Sequence, residues 1–344
     1  MKTLSIHSAI GNSDILVGET LANVTNYLPK NKKIAIITDS NIRSLYGAQF
    51  PQANVVIEIP KGENNKVLHT LENIFEQLVA AEFDRTSFIL AIGGGIVCDV
   101  SGFAAATFMR GIEFGFVSTT LLSQVDASVG GKNGVNFKGF KNMIGTFCLP
   151  KFVICELNML KTLPTSELLS GMAEVVKHGA IADADLFAYI EKHPDKVLSY
   201  DAEALERFVY DSVVIKSNIV NKDAKEGGAR RFFNFGHTFG HAIEKNTKMP
   251  HGYAVSIGMV IASKMSAARG LLSQHDVERI IAVLQSLGLP TECEIEPIAL
   301  FEALKRDKKR DGDGIHFVLL DRIGNAIVEK MSLNELEHII HDMR

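Results

Sequence analysis

The chain has 344 residues, more than one ordinary hydrophobic core accommodates, and this predicts two domains. Its 46% hydrophobic and 22% charged residues are those of a folded globular protein, and a net charge of −4 without a Lys/Arg block argues against nucleic-acid binding. The four cysteines, Cys98, Cys148, Cys155 and Cys293, form no CxxC pair, and no apolar run reaches the length of about 18 residues that a membrane span needs. The opening MKTLSIHSAIGN lacks the apolar centre of a signal peptide, so the expectation is a cytoplasmic enzyme with reduced thiols and no membrane partner.

Along the first half, short β-branched runs alternate with helical stretches. Strands are predicted at 33–38, 55–59, 88–92, 114–118 and 152–155. These runs are apolar almost without interruption, which predicts a sheet covered on both faces: a parallel, Rossmann-like α/β domain. Between them, Val67, Leu71, Ile74 and Leu78 repeat at helical spacing over 66–81. Beyond residue 157 the pattern becomes helical, as at 203–220 and 253–269, and ends in a hairpin of 316–320 with 326–328. The predicted division is an α/β nucleotide-binding domain at 1–157 and a mainly α-helical metal- and substrate-binding domain at 158–344.

The most informative segment is GHTFGHAIE, Gly236 to Glu244, with His251-Gly252 following. His237 and His241 are four apart and project from one helix face, and His251 can fold back toward them after a short loop. Imidazoles so placed form the nitrogen part of a divalent-metal site, which for catalysis also wants an oxygen or sulfur ligand and an open position. On the otherwise small and apolar run Gly171 to Lys177, Glu174 and Lys177 share a face. A carboxylate buried there needs a partner, so Glu174 with His237 and His251 makes a His₂Glu set able to polarise a substrate oxygen.

Two segments of the first half point to a bound anion. Gly93-Gly94-Gly95 closes the 88–92 strand ahead of a helix carrying Asp99, where backbone amides and a helix N-terminus can receive a phosphate. A dinucleotide fits there. The run Ser118 to Asn136 is so rich in small polar residues that it reads as a long functional loop. Arg110, Lys132, Lys141, Lys177, Lys216, Lys225, Arg230 and the Lys308-Lys309 pair concentrate cations in these polar segments, which suits a substrate with phosphate and carboxylate groups.

GGGIVCDVSGFAAATFMRG, STTLLSQVDASVGGKNGVN, KNMIG, LKTLP, GMAEVVKHG, NFGHTFGHAIE and DKKRDGDGIHFVLL together resemble, in order and spacing, the 3-dehydroquinate synthase family of the sugar phosphate cyclases. The resemblance runs from Asp39 to the final hairpin. It implies a homodimeric enzyme of the shikimate pathway that uses NAD and Zn²⁺ or Co²⁺. The reaction would turn 3-deoxy-D-arabino-heptulosonate 7-phosphate into 3-dehydroquinate and phosphate by transient oxidation, phosphate elimination, reduction and aldol closure.

Position by position, the resemblance implies Glu174, His237 and His251 as metal ligands. It implies Lys132, Lys177, Lys216, Arg230, Asn234, His241, Asp126 and one of Lys308 and Lys309 as substrate contacts. Arg110 would reach the phosphate of the neighbouring subunit. Asp39, Glu63, Lys66, Gly94, Gly95, Asp99, Thr119, Thr120, Lys132, Lys141, Asn142 and Thr162 would bind the nucleotide. Tyr253 departs from the family pattern, which usually has an acid after His-Gly, and so alters support of His251. Asn133, Cys98 and Ala224 are milder departures. A sister cyclase acting on sedoheptulose 7-phosphate or glucose 6-phosphate, a metal-dependent polyol dehydrogenase and a binding-only relative are the competing readings. The intact cations and ligand set argue against them.

Overall fold

The computed structural model describes residues 1–223, 228–295, 301, 302, 304, 310, 311 and 314–342. They group into two compact units, Met1–Leu163 with Ala202–Lys225, and Pro164–Asp201 with Glu226–Arg344. Among the described residues no helix is long and apolar enough to cross a membrane. Lys308 and Lys309, like Ala224 and Lys225, lie outside the described residues.

The first unit is built on a seven-stranded sheet. An N-terminal antiparallel hairpin, β1 (Lys2–Ser8) and β2 (Gly11–Val17), is followed by β3 (Ile34–Asp39), helix α1 (Ser40–Tyr46), β4 (Val55–Ile59) and α2 (Leu68–Ala80). Next come β5 (Phe88–Gly93), α3 (Gly95–Thr107), β6 (Glu113–Ser118), the small pair β7 (Lys132–Phe137) and β8 (Phe140–Phe147), and β9 (Phe152–Cys155). The sheet order is β1-β2-β9-β6-β5-β3-β4, and every pairing from β2 onward is parallel. All six residues of β5 are buried, as a strand covered on both faces requires. Helix α2 turns Leu71, Ile74 and Leu78 inward, at the spacing the sequence showed.

The polar run 118–136 is not one long loop. It passes from the end of β6 through a π-helical turn, Ser123–Ala127, into strand β7, which pairs antiparallel with β8. Several of its polar groups pair with one another: Ser118 Oγ donates to Ser123 Oγ at 2.7 Å, Ser128 Oγ to the Ser123 carbonyl at 2.7 Å, and Gln124 Nε2 to the Ser118 carbonyl at 3.0 Å. Ser118, Ser123, Gln124 and Ser128 are thereby buried without exposing the segment to water.

The second unit opens with α4 (Thr165–Ala182), α5 (Ala184–Lys192) and α6 (Asp195–Leu198). Helix α7 (Ala202–Lys222) belongs to the first unit, so a single cut between 157 and 158 does not describe the chain. The contacts that place α7 there are non-local: Lys2 pairs with Glu206 at 3.3 Å, and the His7 amide donates to Asn221 Oδ1 at 3.1 Å. The second unit resumes with α8 (His237–Thr247), α9 (His251–Ala268) and α10 (Gln274–Ser286). An antiparallel sheet of β10 (Arg310–Asp311), β11 (Gly314–Arg322) and β12 (Asn325–Ser332) follows, then α11 (Leu333–Asp342). Phe239 and Ile243 of α8, Ile257 and Met265 of α9, and Phe317 and Leu319 of β11 share its core.

Candidate functional site

In the second unit, the junction of α4, α8 and α9 gathers Glu174, His237 and His251. Gly236 precedes α8 at φ 75°, left-handed backbone that glycine adopts at little cost, and this conformation starts the helix with His237 as its first residue. Helix α9 begins at His251. A Cβ on Gly252 would stand 2.3 Å from Ser170 Cα, so only glycine lets α9 approach α4 this closely and bring His251 to Glu174.

Glu174 is completely buried, and its Oε1 lies 3.5 Å from His237 Nε2 and 3.6 Å from His251 Nε2. The three ligand atoms lie within 4.8 Å of one another. Oε2 accepts from Lys177 Nζ, itself buried. Oε1, by contrast, is a buried acceptor without a hydrogen bond. Burial disfavours the Glu174 charge, but Lys177, His237 and His251 outweigh it and hold the carboxyl well below the usual carboxylate range. Burial likewise works against the charged His251 ring, yet Glu174 and Glu244 push it up to about 9.

These atoms fit a divalent cation. Ligands at about 2.0–2.1 Å from a tetrahedral ion sit about 3.3–3.4 Å apart, close to the observed separations, and an ion would occupy the space that leaves Oε1 unpartnered. The other two ring nitrogens are turned outward: His237 Nδ1 meets the Phe235 carbonyl at 3.2 Å, and His251 Nδ1 meets Glu244 Oε2 at 3.4 Å. His241 adjoins the set, its ring centroid 5.3 Å from that of His237 and 6.0 Å from that of His251. Arg230, from the short helical turn Ala229–Asn234 just before α8, is a buried cation, and Asn234 closes that turn. Glu244 is the residue the sequence reasoning missed. It ends the GHTFGHAIE run, seven residues after His237 and so on nearly the same helix face.

In the first unit, β3, β5 and β6 run parallel, and Asp39, Gly94 with Gly95, and Thr119 with Thr120 stand at or just after their C-terminal ends. Gly94 caps α3 with no side-chain hydrogen bond, which leaves the first amides of the helix open to an anion. A Cβ there would stand 2.9 Å from Thr120 Cγ2. Gly95 begins the helix, and the Thr119 hydroxyl, buried nearby, has no hydrogen-bond partner. Thr120 Oγ1 donates to Ser123 Oγ at 3.0 Å.

Lys66 is buried, donates to Asp99 and reaches Asn142 Oδ1 at 2.6 Å. Asn136 continues this network to Glu63 Oε1 at 2.8 Å and to the Asn142 amide at 2.8 Å. Burial raises the Asp99 carboxyl against the opposing charge of Lys66. The open helix start, the orphaned hydroxyl and this polar network fit a dinucleotide.

Asp39 and Thr162 make other bonds. Asp39 caps α1 by accepting from the Asn41 and Ile42 amides, and Thr162 Oγ1 meets the Tyr46 hydroxyl at 2.7 Å. Lys132 and Lys141 are exposed on the β7–β8 pair. Asp126 accepts from Lys216 of α7 at 2.5 Å. Arg110 sits on an exposed turn in which Met109 and Arg110 both have positive φ, 52° and 70°.

Residues 56–170 match the family model for the 3-dehydroquinate synthase N-terminal region, and residues 171–310 match the model for its C-terminal region. The chain belongs to the 3-dehydroquinate synthase family. A 3-dehydroquinate synthase from Campylobacter concisus is 42% identical over 306 residues, 86% of this chain and 87% of that relative. Two solved synthases of similar fold lie further off in sequence. A 2-deoxy-scyllo-inosose synthase complexed with carbaglucose-6-phosphate, NAD+ and Co2+ is 27% identical at a TM-score of 0.88, covering 99% of this chain and 100% of that one. A 2-epi-5-epi-valiolone synthase from Streptomyces hygroscopicus with NAD+ and Zn2+ bound is 28% identical at a TM-score of 0.88, covering 99% of this chain and 97% of that one.

Proposed function

We propose that the chain catalyses the 3-dehydroquinate synthase reaction of aromatic amino acid biosynthesis, converting 3-deoxy-D-arabino-heptulosonate 7-phosphate to 3-dehydroquinate and phosphate with NAD and Zn²⁺ or Co²⁺. The observation that carries the reading is the His₂Glu cluster around buried Glu174, with its unpartnered Oε1, in a chain 42% identical to a 3-dehydroquinate synthase. Similarity to the scyllo-inosose and valiolone synthases is lower, 27% and 28%, which disfavours those substrates.

NAD supplies a hydride acceptor that later returns the hydride, and the metal supplies a Lewis acid for substrate oxygens. Glu174, His237 and His251 hold the ion. Lys177, fastened to Glu174, occupies the second carboxylate oxygen, so that Oε1 alone is left for the ion. Lys66, Asp99, Asn142, Glu63 and the open start of α3 hold the nucleotide, with Asp39, Thr119, Thr120, Lys141 and Thr162 around it. Lys132, Lys216, Arg230, Asn234 and His241 bind and orient the substrate, and the cations among them stabilise charge that develops on oxygen as phosphate leaves. Asp126 holds the Lys216 ammonium in place.

The working form is a cytoplasmic homodimer. Arg110 supports the dimer, because it is exposed on a strained turn and has neither a hydrogen bond nor an ion pair among the described residues. Such a side chain is suited to serve a neighbouring subunit's phosphate. The test of the reaction is phosphate release: purified protein with NAD and zinc should release phosphate from the heptulosonate phosphate and none from sedoheptulose 7-phosphate. The reverse preference would replace the reading with that of a sister cyclase.

A further inference from the structure

We propose that Glu244 is the positioning residue of the metal site: its carboxylate fixes the ring and the tautomer of His251 and so sets how tightly the site grips its ion. The proposal rests on the reading of Glu174, His237 and His251 as ligands and adds to it a residue that touches neither ion nor substrate. An imidazole offers a lone pair at Nε2 in its neutral form only when Nδ1 carries the hydrogen. A carboxylate at Nδ1 holds that hydrogen and makes the ring a stronger donor.

Both halves of this arrangement are present at His251. Nδ1 lies 3.4 Å from Glu244 Oε2, while Nε2 lies 3.6 Å from Glu174 Oε1. The Glu244 side chain is only 16% exposed, so water competes weakly for the bond. Its helix, α8, contributes His237 at its first residue and Glu244 two turns later. One rigid element therefore carries a ligand and the orienting group of the other imidazole. His237 is held differently, with Nδ1 on the neutral Phe235 carbonyl at 3.2 Å. The two rings are thus unequal: a charged acceptor backs one and a peptide oxygen backs the other. Position 253, next but one to His251, is a tyrosine and not an acid, and the carboxylate at His251 Nδ1 comes from Glu244 of α8.

The test uses full-length protein stripped of metal, titrated with zinc against a chromophoric chelator and with cobalt read by its visible absorption. Glu244→Ala should bind zinc about 10- to 100-fold more weakly than wild type. Glu244→Gln, which keeps an acceptor oxygen without the charge, should recover part of that loss. Both variants should shift the cobalt bands while the thermal midpoint of the metal-free protein and its NAD affinity stay at the wild-type values. Should the alanine variant fail to fold, the glutamine variant carries the same comparison.

Zinc binding within twofold of wild type, with unshifted cobalt bands, would overturn the proposal. A fall in the metal-free midpoint with no recovery by glutamine would do the same, since it would mark Glu244 as merely structural. His251→Ala serves as the control. If it binds zinc as wild type does, the ligand set itself is wrong and the proposal falls with it. If it loses zinc while Glu244→Ala does not, the proposal alone fails.

Discussion

Lys216 of α7 donates to Asp126 Oδ1 at 2.5 Å, although the two residues lie 90 positions apart in the chain. The lysine side chain is only 7% exposed, so its charge acts with little screening by water. Lys216→Met should lower turnover about 100- to 1000-fold, the scale of removing one positioned charge from a developing oxyanion. Steady-state phosphate release at a temperature where both proteins are folded checks this, with NAD affinity as the control that should move little. Turnover within a few-fold of wild type would remove Lys216 from the catalytic set.

The Lys66–Asp99 pair is a buried ion pair whose neutral third member is Asn142. Lys66→Met removes the cation that bonds this carboxylate directly, in a site where burial already disfavours its charge. The expected cost is about 3 kcal/mol of stability, because removing one partner of a buried pair strands the other. Denaturant unfolding measures that loss, and NAD binding should weaken in parallel. Intact NAD affinity would separate the network from nucleotide recognition.

Much of this arrangement was legible in the sequence, and the parts that were not have separate physical reasons. The strands at 55–59 and 152–155 match their predicted limits, and β5 extends its prediction by one residue, because short runs rich in β-branched and aromatic residues are too short for buried helices. The His₂Glu cluster was readable because His237 and His241 repeat at helical spacing and Glu174 stands out on an apolar helix. The N-terminal hairpin went unread because β1 alternates exposed residues with few apolar ones. The 118–136 run was misread because its hydroxyls pair with one another instead of with water. The return of α7 to the first unit, and Glu244 behind His251, depend on contacts between segments distant in sequence or on neighbouring helices, which spacing along one element does not encode.

Arg110 gives the dimer its functional test. After subunit exchange between Arg110→Ala and Lys216→Met proteins, a mixed dimer holds one site with both groups intact. About a quarter of native sites should therefore be active at statistical mixing. Activity of the mixture should rise above that of either parent. No rise, with exchange verified by mass spectrometry, would show that Arg110 does not serve a neighbouring subunit.

Acid stability reports on the second unit through Glu191 and Arg279. The guanidinium meets both carboxylate oxygens, Nε to Oε1 at 3.0 Å and a terminal nitrogen to Oε2 at 2.9 Å, and its hydrogen bonds hold the Glu191 carboxyl below the usual range. A carboxyl that is more acidic when folded stabilises above its unfolded pKa, and that stabilisation is lost as pH falls through the folded value. Arg279→Ala should cost about 1 kcal/mol at neutral pH, with the difference from wild type shrinking as pH drops below about 4. Paired unfolding curves across that range test it; a difference independent of pH would assign the loss to packing of Arg279 over Phe187 instead.

The central claim is that Glu174, His237 and His251 hold the catalytic ion, and metal content with turnover tests it most directly. Wild-type protein dialysed after zinc loading should retain about one ion per chain. Glu174→Ala and His251→Ala should retain almost none and release no phosphate, and chelated wild type should regain turnover when zinc or cobalt is returned. Full phosphate release by protein verified as metal-free, or by either alanine variant, would contradict the account.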